Sequence, residues 1–227
     1  MEQNKKLRVV LAGGGTGGHI YPAIAVAQRL KNDDDIEEIY YVGCKTNMEY
    51  DIAVKEDLKF IPVYVSGMPR KPGLSLIKWF WDLNKSVNSA LRYFYTIKPD
   101  VILGTGGYVS GPALLAGIIL RIPIIIHDPD AHPGIVSRFI APWAKVVSVA
   151  FEQSKVFLNS KNIVVNGNPI RESFGVVSRE TGIKELGLDP NKKTLLVVGG
   201  SQGAKKINEA MLEASRIVDS KDGLSLE

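Results

Sequence analysis

The sequence predicts an α/β protein organised around a doubly wound parallel sheet. Three observations carry that prediction. Short runs rich in Val and Ile recur without polar alternation, as in LRVVLA at Leu7–Ala12 and IIIH at residues 124–127, the pattern of strands covered on both faces. Segments with helical periodicity fall between most of them. The first strand runs directly into glycines, a threonine and a histidine before a helix begins (LRVVLAGGGTGGHIYP, residues 7–22). Such a strand–turn–helix unit turns bare main-chain N–H groups toward whatever lies above it, and an anion is the natural guest.

The elements then follow in order. Leu7–Ala12 is the first strand, and the glycines after it allow close backbone approach to a ligand. Pro22 suits the first turn of a helix over residues 20–30. Residues 36–42 form the second strand, 48–56 a helix and 60–65 the third strand. A long helix over residues 75–97 carries an apolar stripe at Leu76, Phe80, Leu83, Val87, Ala90 and Phe94, expected to face the core. Strands at Val101–Gly104, 124–127, 146–150 and 163–166 follow, with helices at Gly111–Leu120 and 135–141 between them. Past Arg171, GVVSRETG has the composition of a linker. A short helix at 183–186, a strand at 194–198, a second glycine turn (GGSQGA, 199–204) and a helix from Lys205 to Asp219 complete the chain. One strand cannot make a sheet. The expected organisation is therefore a Rossmann-like domain over residues 1–171, then a linker and the truncated start of a second such domain over 172–227.

With 45% apolar and 23% charged residues among 227, the composition is that of a well-packed soluble protein. The single Cys44 excludes a disulfide framework and suits a reducing compartment. The N-terminal apolar run is too short for a signal-peptide core. The longest apolar stretch, residues 113–126, is broken by Arg121 and Pro123, short of the ~20 residues a bilayer requires. The net charge of +4 is unevenly spread. Arg70, Lys71, Lys78, Lys85, Arg92 and Lys98 face a single acid, Asp82, within residues 66–98. No nucleic-acid module accompanies that basic segment, so no nucleic-acid partner is expected. Leu74, Ile77, Trp79 and Trp81 are apolar bulk beyond the core stripe, flanked by Arg70, Lys71 and Lys78. They fit either a membrane-contact patch on anionic lipid or a wider buried helix face.

Four strand ends carry unusual chemistry and share one rim: residues 13–19, 104–111, 127–134 and 166–171. Parallel α/β sheets bind ligands on that rim. Gly13-x-Gly15-x-x-Gly18 also fits the dinucleotide fingerprint. That reading needs a ribose-binding acid at the end of the second strand, where the sequence has Gly43-Cys44-Lys45, so NAD is disfavoured. His19, at the mouth of the first loop, could bond a phosphate, take a proton or hold the loop's shape. Asp128-x-Asp130 resembles a two-carboxylate metal pattern, but so short a motif is common and no metal is expected.

GGGTGGHIYPA, GGYVSGP, HDPDAHPG, GNPIR and GGSQGA, in this order, resemble glycosyltransferase family 28, and within it the UDP-N-acetylglucosamine:lipid I N-acetylglucosaminyltransferases of bacterial peptidoglycan synthesis. The resemblance runs along the whole chain but covers only the first part of such an enzyme. It implies a GT-B fold, two Rossmann-like domains facing across a cleft. It implies inverting transfer of N-acetylglucosamine from UDP-GlcNAc to the 4-hydroxyl of MurNAc in lipid I, without a cofactor. The implied partners are UDP-GlcNAc, the polyprenyl-pyrophosphate-linked acceptor and, peripherally, the cytoplasmic face of the cell membrane. Residue by residue, Thr16, Gly17 and Gly18 match first-loop phosphate contacts, Arg171 a uridine-diphosphate arginine, and Ser201 a donor-binding serine that could equally cap a helix. His19 is the best candidate base, since imidazoles titrate near neutrality. Tyr108 could line the cleft or pack beneath it. The HDPDAHPG loop departs from the family's His-Glu-Gln-Asn, placing Asp128, Pro129 and Asp130 where Glu, Gln and a donor-contacting Asn stand. A carboxylate cannot donate that hydrogen bond, so Asp130 or His132 becomes an alternative base. The same residues leave open a related enzyme with another lipid acceptor, or a non-catalytic acceptor-binding half needing a donor-domain partner.

Overall fold

In the computed structural model, seven parallel strands form one sheet in the order β3-β2-β1-β4-β5-β6-β7. They are β1 (Leu7–Ala12), β2 (Ile36–Gly43), β3 (Lys59–Pro62), β4 (Val101–Gly104), β5 (Ile124–Asp128), β6 (Val146–Val149) and β7 (Ile163–Val165). The structure describes residues 5–69, 71, 73–200 and 203–219. Between the strands lie helices α1 (Gly17–Lys31), α2 (Met48–Lys55), α3 (Leu74–Ile97), α4 (Gly111–Leu120) and α5 (Ile135–Ile140).

The central strand shows why the sheet must be covered twice. Val9 and Leu11 pack into a cluster with Ile20, Ala23, Ile24 and Ala27 of α1 and Ala53 of α2. Val10 and Ala12 point the other way, into a cluster with Ala90 and Phe94 of α3 and Ala113, Leu114 and Ala116 of α4. Successive side chains of a strand alternate faces, so an uninterrupted apolar run demands helices on both.

Three sequence expectations are corrected. The first helix starts at Gly17, so Pro22 lies inside it rather than in its opening turn; having no N–H, Pro22 leaves the carbonyl of Gly18 without its helical donor. Phe80, assigned to the core stripe of α3, is 57% exposed, and the buried residues of that helix are Ser86, Ala90 and Phe94. Only the second half of α3 packs on the sheet, and its opening turns run past the edge of the core. Residues 194–198, expected as a strand, take no regular structure.

The chain divides into two units, Met1–Val176 and Val177–Glu227. The second contains α6 (Arg179–Leu186) and α7 (Lys205–Asp219). Helix α6 opens a turn earlier than periodicity suggested because Ser178 caps it, its hydroxyl accepting from the Thr181 N–H at 3.2 Å. Among the described residues, no helix is long and apolar enough to cross a membrane.

Candidate active site

Strand order reverses between β1 and β4: β2 and β3 continue to one side, β5 to β7 to the other. A crevice opens at such a switch point, and here it is bordered by the loops after β1 and β4. These loops are built against each other. A side chain at Gly13 would place its Cβ 2.1 Å from Thr105 Oγ1 and 2.6 Å from the His19 carbonyl oxygen. Gly107, at φ +73°, would set a Cβ 2.1 Å from the Gly14 carbonyl oxygen. Glycine is required at both positions because backbone occupies the space, and at Gly107 also because of its left-handed φ.

Two hydrogen bonds fix the first loop from below. The buried Tyr41 hydroxyl donates to the Gly13 carbonyl at 2.8 Å, and burial pushes that phenol far above its ordinary range, keeping it a donor. The buried Thr105 hydroxyl donates to the His19 carbonyl at 2.6 Å. Among the described residues, the N–H groups of Gly14, Gly15, Thr16, Gly17 and Gly18 meet no protein acceptor. They stand at the positive end of α1, where an anion gains from both the donors and the helix dipole.

Thr16 occupies the N-cap of α1 but makes no capping bond; its Oγ1 lies 2.9 Å from His19 Nδ1. The His19 ring lies over Gly106 and Gly107, and its Nε2 is 3.8 Å from Asp130 Oδ2. The structure thus brings Thr16, Gly17, Gly18, His19 and Asp130 together. Asp130 is exposed, on a loop shaped by its neighbour Asp128: that buried carboxylate accepts from the N–H groups of Asp130 at 3.1 Å and Gly134 at 3.2 Å. Asp128 therefore closes a turn, and Ser154 adds a bond to the Asp130 carbonyl at 2.9 Å. His132 lies against Phe157, ring centroids 4.6 Å apart.

Tyr108 is half-buried, its ring against Gly15, and its hydroxyl accepts from Asn47 Nδ2 at 3.4 Å. The Arg171 guanidinium stacks 4.3 Å over the ring of Tyr21, on α1, and that ring lies 3.2 Å from where a Gly17 Cβ would be. That cation–π seat was missed in the sequence because nothing local links residues so far apart. Ser201 lies outside the described residues, as does Arg70 of the basic segment. Behind the rim, buried His127 bridges Ser148 Oγ (2.8 Å) and Asn168 Oδ1 (3.0 Å), tying the 166–168 turn to β5 and β6. Burial holds its imidazole below the ordinary value, against the opposing pull of Asn168 and Asp128.

At the start of α3, Leu74, Ile77, Phe80 and Trp81 are exposed and line an open groove of about 630 Å³ with Lys78 and Asn84. Trp79 is half-buried and donates its indole N–H to the Ser66 carbonyl at 2.9 Å.

Comparison with known proteins adds a family to this geometry. Residues 9–149 match the model of the glycosyltransferase family 28 N-terminal domain. The UDP-N-acetylglucosamine–N-acetylmuramyl-(pentapeptide) pyrophosphoryl-undecaprenol N-acetylglucosamine transferase of Caldanaerobacter subterraneus subsp. tengcongensis is 40% identical over 216 residues, 95% of this chain and 59% of that protein. The enzyme of the same name from Desulforamulus reducens is 42% identical over 208 residues, 91% of this chain and 56% of its own length. Among solved structures, Acinetobacter baumannii MurG superimposes with a TM-score of 0.60 at 28% identity, over 74% of this chain and 47% of that one. The chain thus spans a little over half the length of the relatives it matches.

Proposed function

The chain belongs to glycosyltransferase family 28, and from that premise we propose that it acts in the transfer of N-acetylglucosamine from UDP-GlcNAc to lipid I, yielding the lipid II of peptidoglycan synthesis. In this reading residues 1–171 bind the lipid-linked acceptor, and residues 172–227 begin the donor-binding domain, with Ser201 contributing to the UDP-sugar site. The observation that carries the proposal is the run of unpaired amides from Gly14 to Gly18 beside His19.

The amides and the helix dipole hold a substrate diphosphate without a metal. Thr16 holds the imidazole of His19 through Nδ1, and in the tautomer that carries its proton on Nδ1, Nε2 has a free lone pair. That lone pair accepts the proton of the 4-hydroxyl of MurNAc as its oxygen attacks the anomeric carbon and the UDP oxygen departs, inverting the centre. The carboxylate of Asp130 faces the same nitrogen and stabilises the imidazolium that forms, a role a carboxylate fills better than the amide it replaces. Tyr108 lines the pocket beside Gly15.

Leu74, Ile77 and Trp81, with Lys71 and Lys78 beside them, form the surface that meets the membrane carrying the acceptor. Apolar side chains rimmed by lysines suit the headgroup boundary of anionic lipid. Trp79 supports this surface by anchoring α3 to Ser66 rather than by projecting from it.

Calorimetry of the 227-residue chain with a short-chain, soluble lipid I analogue tests the acceptor reading. Saturable binding, weakened about tenfold or more by Thr16→Ala, is expected from the loss of one charge-assisted contact and the loop's order. Absence of binding, or binding indifferent to that change and to pyrophosphate as competitor, overturns it.

A further inference from the structure

The side chains of Asn47 and Glu49 are placed in a way that helix stability does not explain. Both belong to the start of α2, where Asn is a favoured N-cap and Glu favours the helix dipole. Yet Asn47, the N-cap residue, makes no side-chain capping bond. Its amide nitrogen donates instead to Glu49 Oε1 at 3.1 Å and to the Tyr108 hydroxyl at 3.4 Å. Glu49, which an exposed first turn would leave in water, is 0% exposed. Its Oε1 also accepts the Cys44 N–H at 3.1 Å, while Oε2 is buried without a partner. The carboxylate lies directly behind the first glycine loop, its Oε1 2.8 Å from where a Gly14 Cβ would be.

Resting on the acceptor-site reading above, we propose that Glu49 and Asn47 are positioning residues that aim the Tyr108 hydroxyl at an oxygen of the bound substrate. The chemistry fixes each orientation in turn. A carboxylate oxygen accepts only, so Asn47 must present its NH₂ group to Glu49, never its carbonyl. With that group so fixed, its second hydrogen goes to the Tyr108 oxygen. The phenol's acceptor side is then occupied from within the protein, and its own hydrogen turns toward the crevice beside Gly15. There it donates to a phosphate or sugar oxygen seated on the free amides. The desolvated Glu49 is the fixed end of this chain, because burying a carboxylate is costly and its position is tolerated only with donors holding it.

Two measurements on the 227-residue chain test this. With tyrosine labelled by ¹³C at Cζ, Tyr108→Phe identifies the Tyr108 resonance by its disappearance. Asn47→Ala is expected to shift that resonance, and Glu49→Ala to shift it in the same direction although, among the described residues, no hydrogen bond joins Glu49 to Tyr108. Glu49→Gln, which keeps an acceptor oxygen, restores the position. A Tyr108 resonance unmoved by Asn47→Ala overturns the proposal, and this variant tests it even if Glu49→Ala fails to fold. The second measurement is binding of the soluble lipid I analogue. Tyr108→Phe and Asn47→Ala should each weaken it about tenfold, and the double variant no further, since both remove one hydrogen bond. Additive losses overturn the relay and assign Asn47 a merely structural part. Failure of the unaltered chain to bind the analogue refutes the acceptor-site reading instead, and the resonance shifts still decide whether Asn47 and Glu49 hold the tyrosine.

Discussion

Two segments of this chain share one sequence grammar, LRVVLAGGGTGGH and TLLVVGGSQGAK, and their described residues are held in different ways. At the first, β1 is paired on both sides, and the Gly13 and His19 carbonyls are tied by Tyr41 and Thr105. At the second, residues 194–200 form no strand, Leu196 is 80% exposed, and a Cβ at Gly200 or Gly203 would meet open space. At the first segment, glycines permit an anion-binding turn but do not by themselves shape it. The turn is shaped by what presses on it: a paired strand below and a second loop beside it.

The largest expected effect comes from filling the space that the first loop lacks beside Gly107. Gly107→Ala forces a Cβ against the Gly14 carbonyl at a left-handed φ, so overpacking and backbone strain together cost about 3 kcal/mol or more. Gly200→Ala, in open space, should alter stability by less than about 0.5 kcal/mol. Urea denaturation of both variants checks the contrast; equal losses would erase it.

What the sequence disclosed follows the same division. The strands were legible because an uninterrupted run such as VVLA can be buried only between two helical layers. The glycine loops after β1 and β4 were legible because few other residues tolerate their geometry, and both stand at the strand ends where the sheet's order reverses. The supports of those loops were not legible. Thr105 reaches the His19 carbonyl across 86 residues of sequence, and Tyr41 reaches Gly13 across 28; each looks locally like an ordinary strand-end or strand residue. Glu49 was invisible for the opposite reason, since an acid in a helix's first turn already has a sufficient local explanation. Phe80 was misplaced because the apolar stripe continues past the point where α3 leaves the sheet, and periodicity does not record where a partner ends.

A smaller effect probes the far side of the same rim, where His127 ties the 166–168 turn to the sheet. Its imidazole is held below the ordinary value by burial. The unfolded chain therefore takes up the proton more readily, at about pH 6.5. The stability gained by keeping the ring neutral is complete above that pH and is lost as the pH falls toward the native value. Denaturation midpoints should decline on acidification from about pH 7, and His127→Gln should flatten that part of the profile. An unchanged slope in the variant would remove His127 from the account.

The smallest effect is the sharpest test of the comparison, because it is expected to be nearly absent. Leu196 stands in its segment as Leu11 stands in β1, three residues from the first glycine in one case and two in the other, both within Val/Leu runs. Leu11 is fully buried, so Leu11→Ala should cost about 2–5 kcal/mol. Leu196→Ser removes apolar surface already in water, and its cost should stay within about 0.5 kcal/mol. If thermal unfolding showed Leu196→Ser to be as damaging as Leu11→Ala, residues 194–198 would have to be packed in solution. The second glycine turn would then rest on a covered strand of its own, and the contrast between the two segments would vanish.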